Sequence, residues 1–388
     1  MKYYDVVVVG LGAMGSAALY QLSKQETNVL GIDQFSPPHD MGSSSGETRI
    51  TRLANGEGEA YTPLVFRSNE IWKELEKETG ESLLVQNGGL ILATEDVKEN
   101  LFHGKQDFLS QTIEIAERHN IKHDVLTTED IKKRFPQFHL VGTETGYFEY
   151  EAGFLRPENC IKAQLSLARK NGATINTNEK VLEVIPDGDG VRIKTNKETY
   201  SANKVIVSPG PWIRTFVGEE YKDMFKVYRQ VLTWWDSKDH SDAYLPENFP
   251  IFIWLFGKKG FYGFPAAHGV DSGVKIGFDY LETTTNPDEI IRTVTEEETQ
   301  AAYKTYVEDR FPGLTEPLKS ATCMLTFTSD ADFIIDALPD HPQILIASPC
   351  NGGGFKHSAA IGEALAEMAL HGKSTISLEA FSFNRFVK

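Results

Sequence analysis

Hydrophobic positions open the chain as one block and alternate only later. Residues 6 to 22, VVVVGLGAMGSAALYQL, carry no charge. A short β-branched run from Asp5 to Val9 meets a glycine turn, Ser16 to Lys24 follows as good helix formers, and Asn28 to Ile32 is apolar again. The opening therefore predicts strand, turn, helix, strand. It predicts neither a membrane span nor a secretory leader: Gly10, Gly12 and Gly15 break the run before ~20 apolar residues accumulate, and Asp5 stands where a basic start belongs.

Further along, Leu64, Val65, Ile71, Trp72 and Leu75 recur at helical spacing, which predicts an amphipathic helix over 61 to 79. The stretch LLVQNGGLILATE, 83 to 95, reads as two strands folded around an Asn-Gly-Gly turn. Residues 98 to 136 read as largely helical, 146 to 154 as extended, and Pro157 to about Lys170 as a helix. Short strands around Asp-Gly-Asp-Gly follow, ending in a buried strand, Lys204 to Ser208, and a second glycine turn at Pro209-Gly210-Pro211-Trp212. Residues 226 to 280 are rich in aromatic and β-branched positions, among them Tyr228, Trp234, Trp235, Phe252, Trp254, Phe261, Tyr262 and Phe264, and predict antiparallel strands that use most of these rings as core. Near the end, Phe333 to Ile335 and Ile344 to Ala347 read as strands, and Asn351-Gly-Gly-Gly354 leads into a helix from about Ser358 to His371.

This order predicts an α/β (α+β) chain of two domains: a Rossmann-like nucleotide-binding domain, and a discontinuous substrate domain built on a mostly antiparallel sheet. The expected nucleotide domain takes residues 1–84, 150–220 and 322–388, and the substrate domain 85–149 and 221–321. A length of 388 residues suits two cores.

The formal net charge of −16 argues against nucleic acid or an anionic membrane as partner, since both need a basic face, and favours a small molecule. Cys160, Cys323 and Cys350 lie far apart with no metal-ligand spacing, so neither a disulfide framework nor a metal site is expected, and a reducing, cytoplasmic setting fits.

Candidate chemistry begins at the first turn. In Gly10-Leu-Gly-Ala-Met-Gly15 the first glycine permits the turn, the second lets a pyrophosphate approach the backbone, and the third lets the helix pack on the strand. Asp33 follows 23 residues after Gly10, where a carboxylate can hold ribose hydroxyls. The pattern predicts a dinucleotide and does not separate NAD from FAD. A plain nicotinamide domain continues into another βα unit, whereas here FSPPHDMGSSSGETRITR intervenes and reads as a site-building insertion. Arg49 and Arg52, three apart within it, are placed to share a helical face, and alone would read as a solvated pair.

Taken together, GLGAMG with Asp33, GETRITRLANGEGEAYTPLVFRSNEIW at 46–72, YRQVLTWW at 228–235, FYGFP at 261–265, CMLTFTSDADFIID at 323–336 and NGGGFKHSAAIGEALAEMA at 351–369 resemble the monomeric sarcosine oxidase and N-methyltryptophan oxidase family of glycine-oxidase-like FAD amine oxidases. The resemblance spans nearly the whole chain and implies an FAD-dependent oxidase of secondary amines, usually monomeric. It takes an amine bearing a carboxylate and oxidises the C–N bond to an imine that hydrolyses, with O2 reduced to H2O2.

The resemblance also implies residue roles. Cys323 matches the cysteine that tethers the flavin. Lys275 matches a lysine set over the flavin ring, where its charge stabilises superoxide. Arg52 and Lys356 match the pair that binds the substrate carboxylate, and Arg49 a basic residue at the flavin's other face. Lys275, Arg49, Tyr262 and Asp279 are the candidate catalytic residues. Gly10, Gly12, Gly15, Asp33, Ser44, Ser45, Thr48, Gly210, Gly352, Gly354 and Lys356 are the other expected cofactor contacts. The chain departs from the pattern at Ser44-Ser45, where the family carries His-His or Ser-His, at Leu325 in place of a tyrosine, and at Asp279 in place of a histidine. Asp279 in the pocket favours a cationic or hydroxyl-bearing amine such as a fructosyl amino acid, while the aromatics near Tyr262 and Trp254 leave room for a bulky N-methyl amino acid. A flavin amine dehydrogenase using another acceptor, and a flavin-binding regulatory protein, remain the other classes open at this stage.

Overall fold

The strand Lys2–Val9 runs parallel to Val29–Ile32 on one side and to Thr199–Val207 on the other. In a computed structural model, which describes all residues except 100, 101, 104, 141, 279–283 and 387–388, these strands form the middle of an eight-stranded sheet. Thr174–Asn176 and His341–Ser348 extend it in parallel, and the antiparallel strands Val181–Asp187, Gly190–Thr195 and Ile334–Leu338 complete it. Val6 to Val9 are buried, as a central parallel strand covered on both faces requires.

The helix Ala13–Ser23 follows the first strand and packs against Pro157–Lys170 and Ser358–His371. Two glycines make these approaches possible. A Cβ on Gly15 would fall 1.7 Å from the Gly10 carbonyl oxygen, and one on Gly362 would fall 2.3 Å from the Ala17 Cβ.

The second eight-stranded sheet runs, in spatial order, Leu314–Thr328, Phe225–Ser237, Val274–Phe278, Lys259–Phe264, Ile251–Phe256, Gly89–Ala93, Thr145–Glu149 and His123–Leu126. Its pairings are antiparallel except that between Ile251–Phe256 and Gly89–Ala93. Phe252, Trp254 and Phe261 interlock beneath it with Phe138, Phe249 and Phe311, so these rings are core, as expected. A small third sheet joins Arg49–Thr51, Gly153–Leu155 and Leu84–Val85. The architecture is the mixed α/β, two-domain fold expected.

Local expectations were overturned in four places. Leu84–Val85 and Gly89–Ala93 do not pair as a hairpin: the first joins the small sheet and the second the large one. Gly88 (φ 81°) donates its N–H to Ala152 and accepts from Ile251, so the glycine turn carries the chain between sheets and does not fold it back. Within 98 to 136 the helices Phe108–Arg118 and Thr128–Arg134 enclose an edge strand, His123–Leu126. Arg49 and Arg52 share no helix, because Arg49–Thr51 is a strand held against Gly153–Leu155. The expected boundary at 322 falls inside the single strand Leu314–Thr328, which pairs along Phe225–Ser237, so Cys323 stands on the second sheet.

Candidate active site

Two cavities meet at the junction of the sheets. The first lies at the carboxyl ends of the parallel strands and is walled by Gly10, Gly12, Asp33, Ser44, Gly210 and Gly354, all expected cofactor contacts. Gly10 adopts φ 84°, and a Cβ there would strike the Ser208 carbonyl oxygen at 2.5 Å, so only glycine lets the two strand ends converge. At Gly12 the nearest atom to an added Cβ is Ser44 Oγ at 3.8 Å, which leaves the backbone open to a ligand. Gly12 caps the helix Ala13–Ser23 without a side-chain hydrogen bond, and no acidic residue occupies the first turn, so its N–H groups suit a pyrophosphate.

Asp33 is fixed by neighbouring backbone amides: its carboxylate accepts from Leu11 N and Phe35 N, both at 2.7 Å, with His39 Nε2 at 3.6 Å. Ser43 Oγ and Thr326 Oγ1, also in this wall, are buried with no partner within the protein. Buried hydroxyls are normally satisfied. A glycine cradle, an uncapped helix start, a ribose-height carboxylate and two orphaned hydroxyls fit a dinucleotide.

The second cavity adjoins the first, and Arg49, Leu325, Gly352 and Phe355 line both. Thr48, Arg52, Tyr262, Lys275, Cys323 and Lys356 complete the expected part of its wall, and Thr48 Oγ1 is another buried hydroxyl lacking a partner. Ser45 belongs to neither wall and contributes its carbonyl oxygen to Arg49. Asp279 lies outside the described residues.

Carboxylates on neighbouring elements shape the loop that carries the two arginines. Glu158, in the first turn of Pro157–Lys170, accepts from Gly46 N at 2.8 Å and Glu47 N at 3.1 Å. Buried Glu149 accepts from Leu53 N at 2.6 Å and Ala54 N at 3.1 Å. Between these clamps Arg49 donates to the carbonyls of Ser43 and Thr48, while Arg52 is buried, donating to Ala54 O and, at 2.6 Å, to Glu57 Oε2.

Lys275 is buried on the strand Val274–Phe278, its ammonium donating to Gly46 O at 2.7 Å and Thr48 O at 2.8 Å and standing 4.0 Å from the Phe264 ring centroid. Burial first, and the Arg49 guanidinium second, push it well below the ordinary lysine range. Lys356, in the turn before Ser358–His371, donates to Gly353 O at 3.0 Å and lies 3.5 Å from Glu57 Oε1. Burial lowers it to about 8 against the opposing pull of Glu57. Burial alone would raise the Glu57 carboxyl, but Arg52 and Lys356 hold it well below the usual carboxylate range. Burial raises both Cys323 and Cys350, and Cys350 lines the first cavity.

Sequence reasoning missed Glu57 and His103, both in the second wall. His103 falls in a stretch read as helical, and for Glu57 the one available signal was an acid five residues beyond Arg52.

Residues 5–368 match the family described as FAD dependent oxidoreductase. Monomeric sarcosine oxidase of Bacillus sp. (strain B-0618) is 38% identical over 386 residues, covering 99% of this chain and 96% of that one. N-methyl-L-tryptophan oxidase of Escherichia coli (strain K12 / DH10B) is 32% identical over 391 residues, covering 99% of each. Among solved structures, NikD, an unusual amino acid oxidase essential for nikkomycin biosynthesis, superposes with a TM-score of 0.83 at 22% identity, over 98% of both chains. That likeness carries the fold. With matches along nearly the entire sequence, the chain belongs to the FAD dependent oxidoreductase family.

Proposed function

We propose that the protein is an FAD-dependent oxidase of secondary amines that carry a carboxylate, such as N-methyl or N-alkyl amino acids, acting as a monomer in the cytoplasm. The observation that carries this reading is the charge of the second cavity. Arg49, Arg52, Lys275 and Lys356 line it, with Glu57 as the one carboxylate among the described lining residues, in a chain of net charge −16. Such a wall selects a small anion.

Arg52 and Lys356 hold the substrate carboxylate, a planar fork beside a point charge. Ile50, Ile253, Phe264 and Phe355 exclude water around the carbon next to nitrogen, and Tyr262 bounds the same space. Positioning of the amine toward the junction supplies much of the rate. FAD would be held by the glycine cradle, Asp33 and the orphaned hydroxyls, and would supply the two-electron chemistry by which the amine is oxidised and O2 reduced to H2O2. The imine left behind takes up water and divides into an amine and a carbonyl compound. Lys275 favours O2 as acceptor over a carrier, because a fixed cation stabilises the negative charge of oxygen reduction. Cys323, in the wall of the second cavity, is the thiol for a covalent tether.

The reading is tested by anaerobic titration of the flavin absorbance with sarcosine, N-methyl-L-tryptophan, pipecolate and fructosyl-valine, followed by admission of air and a peroxide assay. Bleaching by one or more amines and colour return with peroxide is the expected result. A flavin that none of them bleaches overturns it.

A further inference from the structure

His103 enters the second cavity from a segment the family resemblance did not mark. Its imidazole stacks on Phe102, ring centroids 4.1 Å apart, and its Nδ1 lies 3.4 Å from Glu57 Oε1, the oxygen that Lys356 Nζ approaches at 3.5 Å. The other Glu57 oxygen holds Arg52. One carboxylate thus stands between an imidazole and the two cations assigned to the substrate carboxylate.

The surroundings are built for this placement. A Cβ on Gly352 (φ 76°) would fall 2.6 Å from His103 Nε2, so glycine makes room for the ring. A Cβ on Gly353 would sit 3.0 Å from Lys356 Nζ and 3.1 Å from Glu57 Oε1, inside the cluster. Phe102 packs edge-on to Phe108 at 4.9 Å and needs the glycine at 260, where a Cβ would meet it at 2.7 Å. Lys105 donates to both oxygens of Asp332 at 2.9 Å, and Tyr61 donates to the same carboxylate at 2.7 Å. Contacts on both sides of His103 therefore fix its position, at a backbone φ of 50° that non-glycine residues seldom adopt.

We propose that His103 is a positioning residue which, by hydrogen bonding to Glu57, restrains that carboxylate from competing with the substrate carboxylate for Arg52 and Lys356. The inference rests on the reading of this cavity as a carboxylate site. Glu57 is an internal anion occupying the cations the substrate needs. A donor on the oxygen that Lys356 approaches takes part of its hydrogen-bonding capacity, so less of it is directed at Lys356 and Arg52, and an incoming carboxylate displaces it more readily. Losing the donor tightens the internal pairing and weakens substrate binding, with little effect on the chemical step.

The test is acetate binding to the flavin-loaded protein, followed by flavin absorbance, together with steady-state kinetics on whichever amine is oxidised. His103→Leu removes the donor at similar volume and is expected to raise the acetate Kd and the amine KM about tenfold, with kcat within about twofold. His103→Gln keeps an N–H donor and is expected to restore both. In a Glu57→Gln background, His103→Leu is expected to change the acetate Kd less than about twofold, the signature of an effect passing through Glu57. Should His103→Leu fail to retain flavin, His103→Ala carries the same comparison. An unchanged acetate Kd, or an effect that persists undiminished in Glu57→Gln, overturns the proposal. Failure of every amine to bleach the wild-type flavin overturns the functional reading, and the acetate titration, which needs no turnover, still decides the role of His103.

Discussion

Arg52 and Glu57 form a buried ion pair, Nη2 to Oε2 at 2.6 Å, inside the wall that has to receive the substrate's own carboxylate. Glu57 is the protein's own counterion to Arg52 and Lys356. Glu57→Gln leaves both cations without it, and breaking a buried pair from one side destabilises by a few kcal/mol. We expect the variant to melt several degrees below wild type and to bind acetate about tenfold more tightly, with acetate restoring most of the lost melting temperature. Thermal melts with and without acetate check this. Weaker acetate binding in the variant would show that Glu57 supports the carboxylate site and does not compete with it.

Lys356 gives the site a pH dependence of definite sign. Its value in the folded protein, about 8, lies below the ordinary 10.5, so between these limits the unfolded chain binds more protons. Its contribution therefore makes the protein more stable as pH rises from about 8 toward 10.5. Carboxylate binding runs the other way, because it needs the ammonium form. The acetate Kd is expected to hold steady below about pH 8 and to rise about tenfold for each pH step above it. Acetate carries no amine, so its titration isolates the protein group. Lys356→Arg, charged throughout, is expected to abolish the break; a break that persists there belongs to another residue.

How much of this site is legible in the chain depends on how local each part is. Gly10, Gly12, Gly15 and Asp33 were readable because strand, turn, helix and acid follow one another within about 25 residues, and steric need fixes their spacing. Lys275, Arg52 and Lys356 converge from three distant segments, and only the likeness to a known family joined them. The Glu57 contacts to Lys356 and His103 span 299 and 46 residues and have no local signal. At 83–95 the local signal pointed the wrong way: turn chemistry suited a hairpin, but each strand found better partners in a different sheet, at Gly153–Leu155 and at Thr145–Glu149.

The proposed tether through Cys323 can be separated from mere binding. Two thiols border the cavities, Cys323 on the strand Leu314–Thr328 and Cys350 just after His341–Ser348, where its sulfur accepts from Thr326 N at 3.3 Å. Acid precipitation of wild type is expected to leave a yellow pellet. Cys323→Ala should release its flavin to the supernatant, while Cys350→Ala keeps it. A yellow Cys323→Ala pellet refutes the assignment, and a colourless Cys350→Ala pellet moves it to that residue.

Lys275 is placed to act on oxygen more than on the amine. Two of its donors are fixed on Gly46 O and Thr48 O, and burial beside Arg49 lowers its hold on the proton. Negative charge developing next to it favours its ammonium form, the charge that oxygen reduction needs. The carboxylate is held elsewhere, by Arg52 and Lys356, so amine binding does not need Lys275. Lys275→Met is therefore expected to slow the oxygen-driven return of flavin colour by a factor on the order of 10² while leaving anaerobic bleaching by amine within severalfold of wild type. Stopped-flow absorbance on each half-reaction measures both rates. Equal slowing of the two would place Lys275 in the architecture of the shared site, and the preference for O2 over another acceptor would lose its structural basis.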